Sequence, residues 1–181
     1  SEKEIIRLLL KYGSNELDRR VRSEDGKEEI IAVSDYVVSE ITSDDLSFDD
    51  RICAKIFADF RFYSEQGLFP GDKHFVKHED PDISRLSADL LSDSHELSLI
   101  WKNKQTFVET EEMKLREIVP DAVLKFKSDK IVAARKEIMT LLEEAVKGGD
   151  KDQILALQKS YNTLSTALGL ISRQLGNRIL L

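Results

Sequence analysis

Between Gln153 and the end of the chain, Ile154, Leu157, Tyr161, Leu164, Leu168, Ile171 and Leu175 recur at spacings of three and four. That rhythm puts them all on one helical face and leaves the rest of the surface polar. Upstream, no Gly or Pro interrupts the chain from Asp121 to Lys147, and Ile131, Ala134, Ile138, Leu141 and Ala145 repeat the same spacing. Gly148-Gly149 separates the two stretches and supplies the left-handed residues at which a helix stops. Asp150, with Gln153 three residues on, can cap a new helix at once. An apolar stripe on each side of a two-glycine stop is solved by folding one helix back on the other. The sequence therefore predicts an antiparallel helical hairpin over 119–181, its first helix opening at Pro120. Lys127 interrupts the first stripe, so the far end of the hairpin, LGNRILL, is expected to reach toward another molecule.

The rest of the chain carries shorter signals. Ile5, Leu8, Leu9 and Tyr12 make an amphipathic helix stopped at Gly13. The polar interval that follows holds Asp25-Gly26, a turn pair that can join a short β-hairpin within residues 16–33. Ser34 is placed to cap a helix bearing Tyr36, Val37 and Ile41. Ser47-Phe-Asp-Asp50 reads as a capping box that opens a longer helix through Ile52, Ile56, Phe60 and Tyr63, ended by Gly67. Asp80-Pro81 pairs an N-cap with a first-turn proline ahead of Ile83, Leu86 and Leu90. Thr110-Glu-Glu begins a helix through Leu115 and Ile118. The expected fold is all-α: a helical bundle over 1–118 followed by the hairpin over 119–181, with one short β-hairpin.

Composition agrees with a narrow buried face and wide solvated ones, at 41 % apolar and 34 % charged residues. The net charge of −7 argues against a general nucleic-acid binder. It is unevenly spread, because the residues from Gln153 onward contain no Asp or Glu and carry +3 against −10 for the remainder. No apolar run approaches the roughly 18 residues a membrane span needs. The single cysteine suits a reducing cytoplasm, and Cys53 reads as a small core residue. The chain opens SEKEIIR rather than on a methionine, and we expect it to be part of a longer protein.

Chemistry-bearing motifs are sparse. His74 and His78 are four apart in DKHFVKHEDP, a spacing that zinc ligands use. They lack the intervening glutamate of HExxH, and Pro81 follows closely, so the reading is of two helix-end or loop histidines and no metal site. His95 is expected to be exposed, and Trp101 to pack between bundle and hairpin. The acidic pairs Asp44-Asp45, Asp49-Asp50 and Glu111-Glu112 fall at expected helix starts, where capping and dipole stabilisation account for them. The sequence contains no GxxxxGK[ST], GxGxxG, CxxC or GxSxG. No catalytic residue and no cofactor is expected.

Taken together, EKEIIRLLLKYG, FVKHEDPDISRLSADLLSDSHELSLIW and IVPDAVLKFKSDKI leading to LSTALGLISRQLGNRILL resemble the C-terminal helicase-binding region of bacterial DNA primases, particularly those of Bacteroidetes type. The resemblance spans essentially the whole chain. It implies a bundle and terminal hairpin that dock on the N-terminal domain of the hexameric replicative DNA helicase. Such a module recruits the primase to the replication fork and modulates priming and unwinding in the bacterial cytoplasm. It also implies Leu170, Arg173, Gln174, Asn177, Arg178 and Ile179 as the partner-binding residues, with no direct nucleic-acid or membrane contact and a monomeric state alone. The module itself would be non-catalytic; zinc and magnesium would belong to upstream domains of the parent polymerase. The second reading is a helical adaptor or regulator whose hairpin self-associates, and the third is an enzyme using His74 and His78 around a metal.

Overall fold

The computed structural model describes residues 1–19, 29–101 and 110–176, with side chains given throughout except at 18, 19, 29 and 93–101. The chain divides into two compact units, Ser1–Val123 and Leu124–Leu181. Among the described residues the fold is mostly α-helical with one two-stranded antiparallel sheet.

The first unit is organised around α1 (Glu2–Tyr12), which buries Ile5, Ile6, Leu8, Leu9, Leu10 and Tyr12. A helix apolar on most of its circumference must be surrounded. Accordingly α1 packs against α2 (Val33–Ser43), α3 (Arg51–Glu65), α4 (Asp72–Val76) and α5 (Pro81–Trp101). Strands β1 (Glu16–Arg19) and β2 (Glu29–Ala32) pair with Leu17 opposite Ile31. Leu17 is buried while Ile30, on the other face of the ribbon, is exposed, the alternation a one-sided sheet requires. The Asp25-Gly26 turn lies outside the described residues.

An aromatic core holds α4 against α3. The Phe60 and Phe75 rings stack with centroids 4.7 Å apart, and Phe69 lies 6.0 Å from Phe60. Phe69 comes so close to the end of α1 that a Cβ on Gly13 would sit 2.4 Å from its ring. Gly13 is right-handed helical, with φ −55°. It is needed for space, then, and not for the left-handed turn expected of a helix stop.

Helix ends show which local signals win. Gly67, at φ +66°, closes α3, with Gly67 N–H donating to the Ser64 carbonyl and Leu68 N–H to that of Tyr63, a full Schellman stop. At the start of α3 the cap is Asp50, not Ser47. Its Oδ1 accepts from the amides of Ile52 (2.8 Å) and Cys53 (2.9 Å). The Asp49 and Asp50 amides donate instead to the carboxylate of Glu2 on α1, at 2.7 and 2.8 Å. Ser34 does not cap α2 either; it is buried one residue inside the helix, whose N-cap is Ala32. Asp80 does act at the start of α5, its Oδ1 accepting from Asp82 N–H at 3.0 Å.

A short 3-10 turn, Glu111–Lys114, leads into α6 (Leu115–Gly148). The turn is fastened to α1 by a charged cluster. Arg7 forks between Glu4 and Glu111, Lys11 Nζ reaches Glu111 at 2.9 Å, and the Tyr12 hydroxyl donates to Glu111 at 2.7 Å. Arg7 and its fellow donors hold the Glu111 carboxyl down at about 2. Pro120 lies within α6 and does not start it. Buried Leu115 and Val119 extend the helix upstream of the proline, which stands at the sixth residue, past the first turn, where the helix gives up one backbone hydrogen bond.

The second unit is the hairpin: α6 from Leu124, then α7 (Lys151–Gln174). Gly149, at φ +72°, makes the same Schellman stop, with Gly149 N–H on the Val146 carbonyl and Asp150 N–H on that of Ala145. Asp150 then caps α7 through Gln153 N–H at 3.0 Å. The two helices are joined midway by Arg135, whose Nη2 donates to the Tyr161 hydroxyl at 2.6 Å while its guanidinium lies 4.7 Å from the ring centroid. On α7 every expected stripe residue is covered at least in part, and Leu168 fully. On α6 the stripe takes Leu142 rather than Leu141. Both keep the three-four spacing from Ile138 to Ala145, but Leu141 is 38 % exposed.

Candidate partner-binding surface

The last turns of α7 carry the described part of the surface expected from the sequence. Leu170, Arg173 and Gln174 stand at i, i+3 and i+4, so they share one strip of the helix. That strip is turned away from Leu168 and Ile171, which face the hairpin seam. Leu170 is 57 % exposed, Arg173 and Gln174 are exposed, and a Cβ at neighbouring Gly169 would meet nothing within 4 Å. Arg173 lies in the final turn of α7, where a cation complements the helix dipole. The helix ends at Gln174, followed by Gly176 at φ +66°. Asn177, Arg178 and Ile179 lie outside the described residues.

A second exposed strip runs along α6. Val132, Met139 and Val146 are one heptad apart and exposed by 49, 47 and 62 %. Their seven-residue repeat is visible in the sequence, but the inward stripe on the same helix masks it.

In the first unit, the structure brings Asp59 of α3 to the two histidines of the α4 segment. His78 Nε2 lies 3.5 Å and His74 Nε2 3.8 Å from the same Asp59 Oδ2. The three side chains are grouped so that one ligand atom from each lies within 4.8 Å of the others. No spacing signal names Asp59, because it comes from a different helix. Cys53 is fully buried, with its thiol pushed up to about 12 by burial and by Asp50, and it takes no part in this cluster. The side chains of His95 and Trp101 lie outside the described ones.

These features define a mostly helical protein with exposed apolar side chains on both units, among them Leu170 beside Arg173 on a helical hairpin. Residues 1–179 match a family described as "Domain of unknown function (DUF8430)", and the chain belongs to that family. Neither the curated proteins nor the solved structures compared with it give a match. Among the described residues no helix is long and apolar enough to cross a membrane.

Proposed function

We propose that this chain is the non-catalytic helicase-interaction module of a DNA primase. In this role it binds the N-terminal domain of the hexameric replicative helicase, brings the primase to the fork, and modulates priming and unwinding. The observation that carries the reading is the strip formed by Leu170, Arg173 and Gln174 on an arm without acidic residues beyond Asp152. The guanidinium is a side chain that commonly anchors interfaces, and the exposed leucine beside it adds apolar area, so the pair suits an apolar pocket with an acidic rim. The sequence resemblance supplies the partner, and the bundle-plus-hairpin architecture agrees with it.

The test is binding of the full chain to the isolated helicase N-terminal domain, followed by calorimetry. Replacing Leu170 by Asp together with Arg173 by Glu should weaken binding by at least about tenfold, as loss of one central anchor does. Helicity should be retained, because both side chains face solvent. Unchanged affinity in a folded double variant would remove the strip from the interface.

A second reading has its own observation. The Val132–Met139–Val146 strip suits self-association of the hairpin in a helical adaptor protein. Sedimentation separates the two: a monomer at tens of micromolar supports helicase docking, whereas a dimer dispersed by Met139→Glu supports the adaptor.

A further inference from the structure

We propose that Asp59, His74 and His78 form a binding site for one divalent transition-metal ion of the zinc class, fastening α4 to α3. The donor set is two imidazoles and a carboxylate, which favours zinc and its first-row neighbours over magnesium or calcium. In a tetrahedral zinc site with bonds of about 2.0–2.1 Å, neighbouring ligand atoms stand roughly 3.3 Å apart. The two Nε2 atoms already lie 3.5 and 3.8 Å from Asp59 Oδ2. All three ligand atoms lie within 4.8 Å of one another, so closing the set asks the side chains to draw in toward one point.

The surroundings orient the rings. The His74 imidazole stands edge-on to Tyr63 (5.4 Å between centroids) and to Phe75 (5.0 Å). It is also nearly perpendicular to the His78 ring, at 83°. The fourth position is left to water, since all three ligands are partly exposed.

His78 makes binding conditional. Its Nδ1 accepts from Asp80 N–H at 3.0 Å, so in the metal-free neutral ring the proton is on Nε2, directed at Asp59. Binding through Nε2 requires that N–H bond to break and the metal–nitrogen bond to form. The proton moves to Nδ1, so none need be released, and the Asp80 amide loses its acceptor. Giving up one such hydrogen bond weakens affinity on the order of fivefold, yet it also leaves a mark that no adventitious surface ion would leave. This site is independent of the helicase reading.

The experiment is a zinc titration of the full chain, first stripped with chelator, by calorimetry and by amide NMR, with calcium as control. The expected result is one zinc per chain, no calcium binding, and a shift of the Asp80 amide signal that saturates with zinc. His74→Gln and Asp59→Asn, both at partly exposed positions, should each weaken zinc at least tenfold while circular dichroism stays unchanged. Absence of stoichiometric binding at 100-fold excess of zinc over protein, or binding undiminished in both variants, would overturn the proposal. So would zinc binding that leaves the Asp80 amide unmoved.

Discussion

Replacing Glu111 by Gln isolates the charge that ties the 3-10 turn to α1. The folded chain holds this carboxyl at about 2 against an ordinary 4.5, chiefly through Arg7, with Lys11 and Tyr12 adding to it. At about 1.4 kcal/mol per pH unit the full shift would correspond to roughly 3.4 kcal/mol. The side chain keeps 30 % of its exposure, and solvent screening reduces this to about 2 kcal/mol. The folded pKa is depressed, so the contribution is complete above about 4.5 and is lost as pH falls through about 2. Urea unfolding followed at the α1 amides reports on the bundle separately from the hairpin. At pH 7 the Glu111→Gln chain should be about 2 kcal/mol less stable than the parent. That gap should shrink below pH 4.5 and be nearly gone at pH 2, where the unfolded carboxyl is neutral and the folded one is half protonated. A gap under about 0.5 kcal/mol at pH 7, or one that persists unchanged at pH 2, would refute the argument that the Glu111 charge fastens the turn.

Gly13→Ala should cost about 1–3 kcal/mol in a thermal melt, because its methyl would fall 2.4 Å from both the Leu9 carbonyl oxygen and the Phe69 ring. Phe69→Leu in the same chain should recover the part of that loss due to the ring; a melt unchanged by Gly13→Ala alone would show that neither the ring nor the Leu9 carbonyl resists the methyl. Tyr161→Phe removes the acceptor of the Arg135 hydrogen bond and leaves the ring beneath the guanidinium. It should lower hairpin stability by about 1 kcal/mol, read as faster hydrogen exchange at α6 and α7 amides with no change in α1.

Legibility followed the range of the interactions. Gly67, Asp80 with Pro81, and Gly149 with Asp150 act on neighbours within a few residues, so their roles could be read directly from the chain. The short β-hairpin was readable from its polar interval and its Asp25-Gly26 turn pair, although the paired residues lie ten to sixteen positions apart. Ser47 failed as a cap because Glu2, far away in sequence, takes the Asp49 and Asp50 amides and leaves Asp50 to cap α3. Pro120 failed as a helix start because burial of Leu115 and Val119 outweighs the proline's local preference. Leu141 and Leu142 satisfy the same periodicity, and only the packed hairpin separates them. On the candidate surface, Leu170, Arg173 and Gln174 could be named from the resemblance. Asp59 could not be found, since what makes it notable is its approach to histidines carried by another helix.

The carboxylate of Glu2 has a practical bearing on how this protein is shortened. The first turn of α1 looks like dispensable polar lead-in, the part usually sacrificed when boundaries are redrawn for expression. Cutting it away would leave two main-chain donors at the head of α3 to find water instead. Damage would then surface nearly fifty positions downstream, in the helix that holds Phe60 and Asp59, and would be misread as a fault of that region.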